Sequence, residues 1–101
     1  MGQLNMKCRN SSILQSDMSK CYVCGQPKEC IHEIYYGNAN RQKSIRYGCY
    51  VALCNNHHNM KEYGVHFNKA LDLNLKQDCQ KKFEEIYDHN KFMEVFHKSY
   101  I

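Results

Sequence analysis

One hundred and one residues, 24% of them charged and 43% hydrophobic, suit one compact domain rather than two. Tyr, Cys and Met supply much of the hydrophobic share and the mean hydropathy is -0.74, so aliphatic core material is scarce and a metal staple is expected. No apolar run approaches the ~20 residues of a membrane span, and a net charge of +4 permits contact with polyphosphate without demanding it.

Residues 1–20 are polar and show no sustained period, which predicts an arm or a short packing segment without chemistry of its own. Its apolar stretch around Ile13 and Leu14 is too brief for a signal core, and the chain's seven cysteines are an odd number. Reduced thiols and a cytoplasmic location are expected, not a disulfide framework. Cys21-Tyr22-Val23-Cys24-Gly25 opens the domain proper, residues 21–101, and Gly25-Gln26-Pro27-Lys28 reads as a turn.

Residues 31–36 carry β-branched and aromatic side chains that suit a short strand closed by Gly37. The stretch 38–46 is polar, with Arg41, Lys43 and Arg46 unaccompanied by any acid, and a second strand is expected over 47–53. A hairpin with a basic connecting loop follows. After Cys54, Asn55 and Asn56 suit the start of a helix that Gly64 limits in length. Over residues 67–87, Leu71, Leu75, Cys79, Phe83 and Ile86 recur at three- and four-residue steps, the pattern of a helix whose stripe faces the hairpin. Asp88 is the expected cap of a last helix in which Phe92, Val95 and Phe96 share a face.

Two half-sites have the spacing of metal ligands. Cys21-x-x-Cys24 lets two thiolates reach one tetrahedral ion from a tight knuckle, and Gly25 admits the positive φ such turns need. Cys54-x-x-His57 falls at a strand-to-helix junction and supplies the other two ligands, completing a structural zinc site. His58 competes with His57 for the fourth position, because a Cys-x-x-x-His step also reaches. Cys8, Cys30, Cys49 and Cys79 lack such spacing and read as small buried hydrophobes, with Cys30 and Cys49 able to face each other across the hairpin.

His32 on the first strand and His58 at the helix start would meet face to face, a geometry suited to a second metal. Cys21-x-x-Cys24, His32-Glu33-Ile34, the stretch from Ser44 to Gly48, Leu53-Cys54-x-x-His57-His58 and Gly64-Val65-His66 together resemble the HNH, or ββα-metal, nucleases, and within them the small phage-encoded proteins. The resemblance spans about two-thirds of the chain, from Cys21 to Tyr87. It implies an α+β fold, a small zinc-stapled ββα-metal domain with C-terminal helices.

It also implies His32 and His58 as ligands of a catalytic divalent cation (Mg²⁺, Mn²⁺, Ni²⁺ or Zn²⁺). His66 becomes a further ligand if the segment before it folds back. Glu33 takes the general-base position, where the family more usually has histidine, a stronger base than a carboxylate. The implied activity is metal-dependent hydrolysis of DNA phosphodiester bonds by a phage or prophage enzyme in a bacterial host. Arg41, Lys43 and Arg46 would touch flanking phosphates, and Tyr35 and Tyr36 would either stack on nucleotides or pack in the hairpin. The competing expectation is a non-catalytic zinc module that binds nucleic acid or a protein partner on the same fold.

Overall fold

The computed structural model describes residues 11–58, 60, 64–66 and 68–101. Strands β1 (Cys30–Glu33) and β2 (Tyr50–Leu53) pair antiparallel, with Cys30 opposite Leu53 and Glu33 opposite Tyr50. Four helices accompany them among the described residues: α1 (Asn40–Tyr47), α2 (Asn55–His58), α3 (Lys69–Ile86) and α4 (His89–Phe96). The result is a small α+β fold.

The connection between the strands is where expectation and structure part. Instead of a basic loop, residues 40–47 form helix α1, and both strands are shorter than their apolar and aromatic runs predict. The cause is one buried hydroxyl. Ser44 Oγ accepts from the Tyr35 backbone N–H at 3.0 Å and donates to the Tyr35 carbonyl at 2.7 Å, replacing the ladder bonds that would have extended β1. Pairing persists only as far as the Ile34 N–H, which donates to the Cys49 carbonyl at 2.9 Å. Helix α1 ends at Gly48, whose φ of 74° is left-handed. Any Cβ there would lie 3.0 Å from the Ser11 carbonyl oxygen, so glycine serves both the cap and the close approach of residues 11–13.

That approach closes the outer edge of β2. Ser12 Oγ donates to the Tyr50 carbonyl, Gln15 Oε1 accepts from the Ala52 N–H, and the Tyr22 N–H donates to the Ala52 carbonyl, all within 2.6–2.8 Å. A two-stranded sheet therefore presents no open edge along β2, and all four β2 residues are buried. Residues 11–15, within the expected arm, are a packing segment; Cys8 lies outside the described residues.

The helices cover one side of the sheet. Leu75, Cys79 and Phe83 of α3 meet Phe92 and Phe96 of α4 around Tyr35, all fully or nearly fully buried. Tyr35 and Phe96 lie 4.4 Å apart between ring centroids. The Tyr35 hydroxyl donates to the Lys76 carbonyl at 2.6 Å, so this tyrosine is core and not a nucleotide platform. Asp88 caps α4 as expected, accepting from the Lys91 N–H at 2.7 Å. Ile86, expected on the inner stripe of α3, is half exposed because the helix outruns the core at its last turn. Cys30 opposes Leu53, so it does not face Cys49; Cys49 instead shares a hydrogen bond with Cys79, which together with burial pushes its thiol pKa well up. No helix among the described residues is long and apolar enough to cross a membrane.

Because both Tyr35 backbone groups rely on one hydroxyl, Ser44→Ala should lower unfolding free energy by about 2 kcal/mol, the cost of stranding buried polar groups. Arg46→Ala, on the exposed side of the same helix, should stay within about 0.5 kcal/mol. Denaturant titration of the metal-replete protein measures both.

Candidate metal centres

The Cys21–Gln26 turn is a closed knuckle. The Cys21 N–H donates to the Gln26 carbonyl at 2.7 Å, the Gly25 N–H donates to the Cys21 carbonyl at 2.9 Å, and Gly25 takes the positive φ of 80° that lets the chain reverse there. Lys20 and Pro27 pair across the base of the turn. The knuckle abuts the end of β2, where Cys54 precedes α2, and His57 lies one turn into that helix.

Cys21, Cys24, Cys54 and His57 converge as a group that could hold a metal ion. Cys24 Sγ lies 3.7 Å from Cys54 Sγ, and His57 Nδ1 lies 3.3 Å from Cys54 Sγ and 3.8 Å from Cys21 Sγ. Burial raises the Cys21 pKa, but the surrounding N–H groups of Cys54, Cys24 and Val23 outweigh it and leave the thiol below its ordinary value. For Cys24 the Gln26 N–H favours the thiolate, yet burial and the neighbouring Cys54 and Cys21 thiols win and hold it above. Cys30 lies outside the cluster, its thiol raised by burial and by Cys21 and Cys54 nearby.

A second group, His32, His58 and His66, lies on the other side of α2, and its ligand nitrogens are all within 4.8 Å of one another. His32 comes from β1, His58 from the last position of α2, and His66 from the turn that follows. That turn folds back on the helix: the Val65 N–H donates to the His57 carbonyl at 2.8 Å and the His66 N–H to the His58 carbonyl at 3.4 Å. His58 Nε2 and His66 Nε2 come within 2.9 Å. His32 is buried, and its Nε2 has no hydrogen-bond partner among the described residues, an uncompensated lone pair or N–H facing two other imidazoles. Burial first, then His66, His58 and Lys76, bring the His32 pKa down to about 3, so its imidazole is neutral at neutral pH and able to ligate. His58 is lowered as well, by burial and by His66, with Glu33 opposing.

The histidines open onto a cleft of ≈ 570 Å³ shared with Glu33, Tyr36, Asn38 and Arg41. Arg41 Nε lies 3.3 Å from Glu33 Oε1. Of the three basic residues expected at phosphates, Arg41 alone lines this cleft. Lys43 is committed to the fold instead, its ammonium donating to the Val95 carbonyl at the end of α4 at 2.7 Å. Arg46 borders a separate groove beside Ser12, Ile13 and Tyr47. His89 pairs with Glu84 at 2.7 Å.

Tyr36 and His66 also wall a neighbouring cleft of ≈ 680 Å³ that is completed by Val65, Lys69, Asp72 and Leu73. Nothing in the sequence singles out Lys69, Asp72 or Leu73: on the helical pattern they occupy a solvated face, and the start of α3 borders the cleft only in the folded chain. Comparison with protein-family models, curated proteins and solved structures yields no match, so function is read from the site's own chemistry.

Two independent clusters predict separable losses. Cys54→Ala should abolish tightly bound metal and the cooperative unfolding transition with it, since ligand binding at such a site is folding energy. His32→Ala should leave that tightly bound ion in place, as elemental analysis of the purified variants will report.

Proposed function

We propose that this chain is an HNH-type, ββα-metal endonuclease that hydrolyses phosphodiester bonds in DNA, with a structural zinc ion on Cys21, Cys24, Cys54 and His57. The observation that carries the reading is the convergence of His32, His58 and His66 on a cleft that also holds Glu33 and Arg41. The order strand, strand, short helix around that cleft supports it, with α1 as an insertion between the strands.

The donor set of the first cluster suits zinc. Tetrahedral bonds of about 2.3 Å to sulfur and 2.05 Å to nitrogen separate two sulfurs by about 3.8 Å and a sulfur from a nitrogen by about 3.5 Å. The observed separations are 3.7 Å for the sulfur pair, and 3.3 and 3.8 Å for the mixed pairs. Closed four-ligand shells of this kind are structural.

The second donor set is three imidazoles, suited to a divalent transition ion and short of a full shell. Such an ion, when bound, would neutralise charge on the scissile phosphate and on the departing oxygen. The chain's own residues do the rest. Arg41, whose side chain is 61% exposed, offers its guanidinium to a phosphate oxygen at the rim of the cleft. Glu33, on the same cleft, takes a proton from the attacking water as the new oxygen–phosphorus bond forms and the bond to the leaving oxygen breaks. Its pairing with Arg41 fixes the carboxylate's position. Burial on β1 holds His32 rigid and neutral, so the site needs little rearrangement.

Purified protein should nick supercoiled plasmid with Mg²⁺, Mn²⁺ or Ni²⁺. His32→Ala and His58→Ala should reduce nicking to background, Glu33→Gln should slow it by about 100-fold or more, and Glu33→His should retain or raise the rate. Nicking that survives both alanine variants contradicts the site assignment. DNA binding without cleavage under any metal would favour a zinc module that only grips nucleic acid.

A further inference from the structure

Tyr36 is a large aromatic side chain left 44% exposed beside the histidine cluster, and it is held there rather than merely projecting. Lys76 places its ammonium 4.5 Å from the centre of the Tyr36 ring, and Asp72 anchors that ammonium at 2.9 Å. On its other contacts the ring lies 6.0 Å from His32 and 6.3 Å from His66 between centroids. Tyr36 and His66 thus form the wall between the histidine cleft and the ≈ 680 Å³ cleft that reaches to Lys69 and to Leu73, itself 44% exposed.

An exposed aromatic fixed by a cation has lost its rotamer freedom before any ligand arrives, which favours stacking. A neighbouring apolar side chain across a groove open to solvent makes a slot for a flat ring. The slot adjoins the candidate phosphate position across the wall of Tyr36 and His66, and each cleft carries a cation, Arg41 in one and Lys69 in the other, as an extended polyanionic strand requires. Bases stacked within a duplex cannot enter such a slot, whereas unpaired ones can.

We propose that the groove between Tyr36 and Leu73 takes an unpaired nucleobase next to the phosphate bound over His32, His58 and His66, so that the preferred substrate has a single-stranded or distorted stretch beside the cut. The inference rests on the nuclease reading above and adds the class of DNA to it.

The test is equilibrium binding of a phosphorothioate single strand carrying 2-aminopurine, compared with the matched duplex, run beside the plasmid-nicking assay. Wild type should bind the single strand more tightly and quench its fluorescence. Tyr36→Leu should remove the quenching and weaken single-strand binding about tenfold, with little change on duplex, while Tyr36→Phe should behave as wild type. Lys69→Gln should lower the salt dependence of single-strand binding by about one unit of slope. Folding of each variant is checked by its thermal transition. Single-strand affinity and quenching unchanged in Tyr36→Leu, or equal losses on both DNAs, overturn the proposal even if wild type nicks plasmid. Quenching that depends on Tyr36 in a protein that never nicks supports the groove and refutes the nuclease reading.

Discussion

Consecutive side chains on a helix point about 100° apart, and in α2 this angle falls between His57 and His58. Everything else in the molecule serves that division. His57 turns toward the cysteines of the knuckle and the end of β2, and His58 toward β1 and the turn carrying His66. With four residues, α2 has no helical stability of its own. Its direction comes from Cys54 at its start and from the carbonyls of His57 and His58, which the returning turn occupies. An ion bound by the cysteines and His57 therefore orients His58 without touching it.

The same economy runs through the sheet. Two four-residue strands cannot stand alone in water. They persist because Ser12, Gln15 and Tyr22 occupy the outer edge of β2 and because Tyr35, Phe83, Phe92 and Phe96 fill the space between the sheet and the last two helices. That aromatic core fixes the frame on which His32 is buried, so the polar cleft sits on a rigid wall. Lys43 ties α1 to the end of α4, holding Arg41, two residues earlier in the same helix, at the mouth of the cleft.

Ligand spacing made the cysteine-rich cluster legible in the sequence, whereas the histidine cluster was expected from the juxtaposition of strand and helix and from the family resemblance. Cys-x-x-Cys followed by Gly, and Cys-x-x-His at a strand-to-helix junction, each dictate a local geometry, and adjacent histidines can serve two sites only by facing apart. The helices α3 and α4 were legible from the three- and four-residue recurrence of Leu71, Leu75, Cys79, Phe83, Phe92, Val95 and Phe96, and from Asp88 as a cap. Helix α1 was not, because its one fully buried side chain is a serine and not part of an apolar stripe, and its basic residues read as loop. The separate fates of Arg41, Lys43 and Arg46 depend on that missed helix, which points them to three different places. The residues bordering the second cleft, Lys69, Asp72 and Leu73, carry no local signature; they join Val65 and His66 there only in the folded chain.

The two proposed sites require His57 and His58 to hold different ions. Anomalous diffraction from crystals grown with Zn²⁺ and then soaked in Mn²⁺ measures this directly. A zinc peak among Cys21, Cys24, Cys54 and His57, with a distinct manganese peak among His32, His58 and His66, is the predicted result. A single metal position, or His58 in place of His57 on the zinc ion, would contradict it.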